Sequence, residues 1–229
     1  MKNKLKHFYL DHNPLVQRRR KELRSKLKNN TPTFLCPNCI GGHLFHDLGI
    51  QFRSPTVNLM MLQTDFLQFV LHLDAYLDGE FEFFEHPEYQ CPCAYLHAEG
   101  IQDIVIHFSH YASKEDALEK WYERCKRIDR DNLFVFIEER DGITKEQLLE
   151  LKNVKARGIL AYTAFDYPDI PYALQLKHCE KYGKVVNVLD EYLLDGSWDY
   201  EKYFDFVKWF NEANGGNYDV SPYLSIKKA

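Results

Sequence analysis

Residues 133–162 read LFVFIEERDGITKEQLLELKNVKARGILAY. The first five, 133–137, form an unbroken apolar run of strand length. Thr144 stands three residues before Gln147, the pairing of a capping box, and a helical pattern follows it to Asn153. Residues 158–162 are a second apolar run. Neither run alternates with polar residues. Two such strands joined by a helix require burial on both faces, which is the condition of neighbouring parallel strands in an α/β sheet.

Working outward, residues 184–189 give another strand, and 199–213 a helix with Tyr200, Tyr203, Phe204, Val207 and Phe210 on one face. On the N-terminal side, residues 103–108 form a near-continuous apolar strand. Ser113 then caps a helix that buries Ala117, Trp121, Cys125 and Ile128. Short strands are predicted near 81–84 and 94–97. A helix capped by Thr64 runs to Leu77 with Phe66, Val70 and Leu73 on its apolar side. Residues 33–36 form the first strand, ended by Pro37-Asn38 and Gly41-Gly42. The expected fold is therefore three-layer α/β: a mainly parallel sheet with helices on both faces, a small antiparallel insertion near residues 80–97, and a basic N-terminal helix. Residues 1–30 form a basic amphipathic arm and 31–229 a single α/β domain.

The chain is long enough to bury about 70% of its unfolded surface. Its net charge of −5 is unevenly spread, because residues 1–30 hold ten of the 29 Lys and Arg and two of the 34 acids. The arm is thus about +8 and the remainder about −13. Asn13-Pro14 opens the arm's helix, which runs through Lys28 with a narrow stripe of Val16, Leu23 and Leu27. Such a helix can lie on an anionic membrane, pair with nucleic acid or cross the acidic body of its own chain. The last is favoured because the partner is already present, and nucleic acid is the least favoured. So narrow a stripe leads to the expectation that the body folds without residues 1–30. The N-terminus lacks the apolar segment of a secretory signal, and no run approaches the roughly 20 residues of a membrane span. The expected location is the cytoplasm, with peripheral membrane contact if the arm docks there.

Several blocks form a recognisable set. They are Asn38-Cys39-Ile40-Gly41-Gly42, Asp47-Leu48-Gly49 with Ser54-Pro55-Thr56, the stretch from Ile106 to Tyr111, Glu119-Lys120-Trp121 with Arg127-Ile128, Arg140-Asp141-Gly142, Tyr167-Pro168, and Phe206-Val207-Lys208-Trp209. In this order they resemble a bacterial family of unknown function whose members are often labelled exopolysaccharide biosynthesis proteins. The similarity spans about residues 31–212. It implies a part in glycan biosynthesis and fixes no reaction. The family pattern carries an aromatic where this chain has Ile40, which weakens a stacking role for that loop.

Open α/β sheets bind ligands beyond the carboxyl ends of their strands. Those ends offer Asn38, Cys39, Gly41 and Gly42, then His107 and His110, then Arg140, Asp141 and Gly142, then Thr163 and Asp166. Each has a plainer use, since paired glycines make turns and Arg-Asp pairs make caps. His110 at a strand exit suits acid or base work, whereas His107 is open to being a core histidine. Asp141, balanced by Arg140, is the competing base. Candidate catalytic residues are His110, Asp141 and His107, and candidate substrate contacts are Asn38, Cys39, Gly41, Gly42, Arg140 and Asp166.

Cys36, Cys39, Cys91 and Cys93 offer four thiols, with His43 and His46 as substitutes, but the second pair lacks zinc-knuckle spacing and no bound zinc is expected. Asp129-Arg130-Asp131 resembles a metal-holding carboxylate pair, yet it precedes a strand and fits a cap. No Gly-rich phosphate loop of the two common types occurs, and the sequence assigns no cofactor. The leading expectation is a cytoplasmic transferase acting on a sugar or sugar phosphate. Its rival is a non-catalytic carbohydrate-binding or assembly module, which would show a shallow aromatic patch in place of a pocket with a perturbed acid.

Overall fold

The computed structural model describes residues 12–186, 188–189 and 195–225. Residues 1–11, part of the expected basic arm, and 187, part of the strand expected over 184–189, lie outside the described residues. Helix α1 (Pro14–Lys26) opens with Asn13 accepting the Leu15 N–H at 2.8 Å. After β1 (Thr33–Leu35) come α2 (Ile40–Leu48), α3 (Gln63–Leu71) and α4 (Leu73–Leu77). Strands β2 (Glu80–Phe84), β3 (Cys93–His97) and β4 (Ile104–His107) follow. Helix α5 (Lys114–Cys125) starts where the Ser113 hydroxyl accepts the Asp116 N–H. Strand β5 (Leu133–Glu138) leads to α6 (Lys145–Glu150), whose Thr144/Gln147 box has both hydrogen bonds in place. Strands β6 (Gly158–Thr163) and β7 (Ala173–Gln175) and helix α7 (Phe206–Glu212) complete the order.

The main sheet is parallel, in the order β1-β5-β6-β7, with Phe34 opposite Phe134 and Phe136 opposite Leu160. Every residue of β1, β5 and β6 is buried, as their unbroken apolar runs require. A second, antiparallel sheet holds β2, β3 and β4 in that order, and α3 touches both β4 and β5. The chain is thus mixed α/β, with a parallel four-stranded sheet flanked by helices and a separate small antiparallel sheet. Phe34 and Phe134 meet the rings of Trp209 and Phe210 on α7, with the Phe134–Trp209 centroids 4.8 Å apart. A second aromatic cluster joins Phe69, Phe81 and Trp121. Each such side chain stabilises the fold by about 1.5–3 kcal/mol through burial. Among the described residues, no helix is long and apolar enough to cross a membrane.

Five elements differ from the sequence expectation, the first being α2, which holds Gly41 and Gly42, read from sequence as breakers, inside its first turn. Residues 184–186 are not strand, and the fourth strand is Ala173–Gln175. Val185 and Val188 are apolar because they are buried, and Val185 donates a single hydrogen bond to the Glu139 carbonyl. The strand over residues 103–108 belongs to the antiparallel sheet, pairing Ala94 with Ile106. The helix expected from Thr64 has Leu62 at its cap and breaks at His72, where φ is −120° and ψ is 36°. The helix over 199–213 is divided into a 3-10 turn, Asp199–Glu201, and α7, because the Asp205 carboxylate accepts the Lys208 N–H and starts a new helix.

Helix α1 ends at Lys26, and Asn211 accepts the N–H groups of Lys28 and Asn29. Arg19 and Arg20 turn toward the body of the protein. Arg20 Nε donates to Asp47 Oδ1 at 2.8 Å and Arg19 Nη1 to Oδ2 at 3.1 Å, while Arg19 also pairs with Glu201. Arg24 Nε donates to the Asp47 carbonyl. Asp47 and Arg20 are both buried. Removal of residues 1–30 would take away the two guanidinium groups that hold Asp47, which argues against the expectation of a dispensable arm.

Candidate functional site

Because β1 and β5 are parallel neighbours, both deliver their carboxyl ends to one edge of the sheet. The chain leaves β1 through Cys36, Pro37, Asn38 and Cys39, and leaves β5 through Glu139, Arg140 and Asp141. Between these loops lies a cleft of about 380 Å³, walled by Asn38, Cys39, Tyr89, Glu138, Arg140 and Asp141 among others.

Glu138 is the last residue of β5 and is wholly buried. Its backbone N–H donates to Gln63 Oε1 from α3. Asn38 Nδ2 donates to its Oε2 at 2.6 Å, while Asn38 Oδ1 accepts the Ile40 N–H at 3.0 Å. Glu138 Oε1 has no hydrogen-bond partner among the described residues. Burial pushes this carboxyl from 4.5 up to about 7, against the pull of Arg140 and the Asn38 hydrogen bond, with the Asp141 charge adding to the rise. Such a group exchanges a proton near neutral pH.

The neighbouring Glu139 has another task. Its carboxylate accepts the Ala164 N–H at 2.7 Å and the Tyr167 hydroxyl, fixing the loop beyond β6. Asp141 takes a left-handed conformation, φ 54°, and lies 3.4 Å from Arg140 Nε. Non-glycine residues held in that region cost about 1–2 kcal/mol, and such conformations cluster at functional sites.

His110 lines a second cavity of about 270 Å³, together with His43, Asn58 and Trp198. Cys39 lines both cavities, and its Sγ is 3.2 Å from His110 Nε2. His110 and Asp141 thus face different cavities that meet at Cys39. His107 is buried, with Nδ1 3.3 Å from Cys93 Sγ and its ring 4.5 Å from Tyr89. Burial lowers its pKa, and His86 adds to the effect. Its surroundings are those of a core histidine that backs the cleft through Tyr89.

The remaining candidates lie apart from the main cleft. A Cβ on Gly41 would meet Cys36 Sγ at 2.9 Å, and one on Gly42 would meet Asn58 Oδ1 at 2.6 Å, so both glycines permit close packing. The Gly41 N–H is taken by Cys36 Sγ and the Ile40 N–H by Asn38, which closes the start of α2 to an incoming anion. Asp166 is exposed beyond β6 and lines neither cavity. Asp129 accepts the Asp131 N–H as the cap of a short turn. Among the described residues, no three His, Cys, Asp or Glu side chains gather to hold a metal.

Sequence inspection passed over Glu138, which it left just outside the strand. The available signal was a carboxylate flush against five apolar residues, which continues a fully buried strand. Gln63 and Tyr89 carried no comparable signal.

The family model described as "Domain of unknown function (DUF1919)" matches residues 12–211. A Haemophilus influenzae protein described as uncharacterized is 34% identical over 194 residues, covering 83% of this chain and 89% of that protein. Neither description mentions exopolysaccharide.

Proposed function

The chain belongs to the DUF1919 family, and from that premise we propose that it is an enzyme of glycan biosynthesis, a transferase acting on a sugar or sugar phosphate in the cytoplasm. One observation carries the reading: Glu138 is wholly buried in the wall of the cleft, burial pushes its carboxyl up to about 7, and one of its oxygens has no partner among the described residues. A carboxyl of this kind serves as general base in its charged form and as general acid in its neutral form at the same pH. Once the residues covering Oε1 shift, a sugar hydroxyl in the cleft supplies the missing hydrogen bond and the proton to be moved. Arg140, at the cleft mouth, provides the positive charge that a phosphate needs.

The test is a panel of nucleotide sugars and sugar phosphates offered to the native protein and to Glu138→Gln. Turnover by the native protein, reduced about 100-fold or more in the variant with binding retained, supports the reading. Neither binding nor turnover across the panel removes it. Equal binding by both proteins without turnover favours the carbohydrate-binding module instead.

A further inference from the structure

Cys39 separates itself from the other cysteines by position. Cys36, Cys93 and Cys179 are buried, and burial pushes the Cys36 thiol up to about 12. Cys125 is pushed as high by the same cause. Cys93 has an imidazole 3.3 Å away, but the pair is sealed, with Cys93 0% and His107 5% exposed. Cys39 alone among the described cysteines combines partial exposure, an imidazole at 3.2 Å and a place in the wall of two cavities. One of those cavities is lined by Glu138, whose buried Oε1 has no partner among the described residues.

We propose that Cys39 and His110 form a nucleophilic pair that takes up an acyl group from an activated acyl donor as a thioester on Cys39. Burial raises the Cys39 thiol, so the resting sulfur carries its proton and must lose it during attack. As sulfur bonds to the carbonyl carbon, the S–H proton passes to His110 Nε2. The bond to the leaving group then breaks, and the leaving group takes that proton from the imidazolium. The thioester is later cleaved by an acceptor hydroxyl, whose proton passes by way of Glu138 and solvent to the departing sulfur. Only this last step, with a sugar as the acceptor, rests on the transferase reading. A thiol with a general base suits a carbonyl carbon, and the thioester it forms remains reactive toward a hydroxyl.

The full-length protein is mixed with p-nitrophenyl acetate. A burst of p-nitrophenolate stoichiometric with protein is expected, with the acetyl group found on Cys39 by peptide mapping. Cys39→Ser abolishes the burst, and His110→Asn slows it about 100-fold. In the unsubstituted protein, prior reaction with p-nitrophenyl acetate shields Cys39 from iodoacetamide while Cys91 and Cys125 are labelled as before, which keeps the test valid if a variant misfolds. Acetyl found on other residues, a burst indifferent to His110→Asn, or no such shielding of Cys39 overturns the proposal. Such a failure leaves the sugar panel and Glu138→Gln untouched, so the two readings fail separately.

Discussion

Asn38 and Glu138, a hundred residues apart in sequence, are joined by a 2.6 Å hydrogen bond from the Asn38 amide to a carboxylate oxygen that has no access to solvent. The bond ties the loop after β1 to the end of β5. It holds one oxygen of the carboxyl, and the other has no partner among the described residues.

Glu138 should make the protein less stable as the pH rises. Its carboxyl titrates at about 7 in the folded state against 4.5 ordinarily, so the folded chain holds the proton more tightly than the unfolded one. The resulting stabilisation is complete below 4.5 and is lost as pH rises through 7. The shift corresponds to about 3 kcal/mol. Glu138→Gln should flatten that fall, so urea unfolding at pH 4.5 and pH 8 should show the native protein losing about 3 kcal/mol relative to the variant. Parallel pH profiles would falsify the assignment.

Asn38→Ala removes the donor that favours the charged form of Glu138. The carboxyl should then titrate higher still, and the acid limb of any pH–activity profile should move upward. Loss of that hydrogen bond, together with the one Asn38 Oδ1 accepts from the Ile40 N–H, should cost about 1–3 kcal/mol. An unmoved acid limb would show that another group controls it.

Asp47 is the counter-charge for helix α1. Burial works to raise its carboxyl, but the His46 hydrogen bond and the Arg20 and Arg19 charges more than offset this and hold it below 3.8. The ion pairs therefore stabilise the fold above pH 3.8 and lose that effect as pH falls below it. Asp47→Ala should cost about 1–3 kcal/mol at neutral pH by removing the buried carboxylate that Arg20 and Arg19 share, Arg19 keeping its pair with Glu201. Deleting residues 1–26 should likewise lower the melting temperature. A truncated chain that melts with the native one would show that α1 is a solvated appendage.

Asp141 sits at φ 54° beside the cleft. Asp141→Gly should stabilise the protein by up to about 1 kcal/mol, and Asp141→Ala should destabilise it by a similar amount. Thermal unfolding of the two variants measures the difference directly. Identical melting temperatures would mean that the turn relaxes without strain.

The sequence by itself determined the elements whose hydrogen bonds close within a few residues. The Thr144/Gln147 box, the Ser113 cap and the Asn13-Pro14 start are local chemistry, and the unbroken apolar runs of β5 and β6 follow from burial on both faces. The parallel pairing of β1 with β5 follows from the same pattern, which is why Asn38, Cys39, Arg140 and Asp141 could be named from strand ends before the cleft was seen. Tertiary structure alone decided partnerships between distant residues. Ala173–Gln175 became the fourth strand because it reaches the free edge of β6, whereas the more apolar segment containing Val185 and Val188 is buried without a ladder. The 104–107 strand pairs antiparallel with β3 because strand direction is set by the path of the chain, which composition does not encode. The Cys39–His110 contact spans 71 residues, and the raised pKa of Glu138 arises from burial and from charges on neighbouring loops. A side chain's proton affinity depends on everything packed around it, so it exists only once the chain has folded.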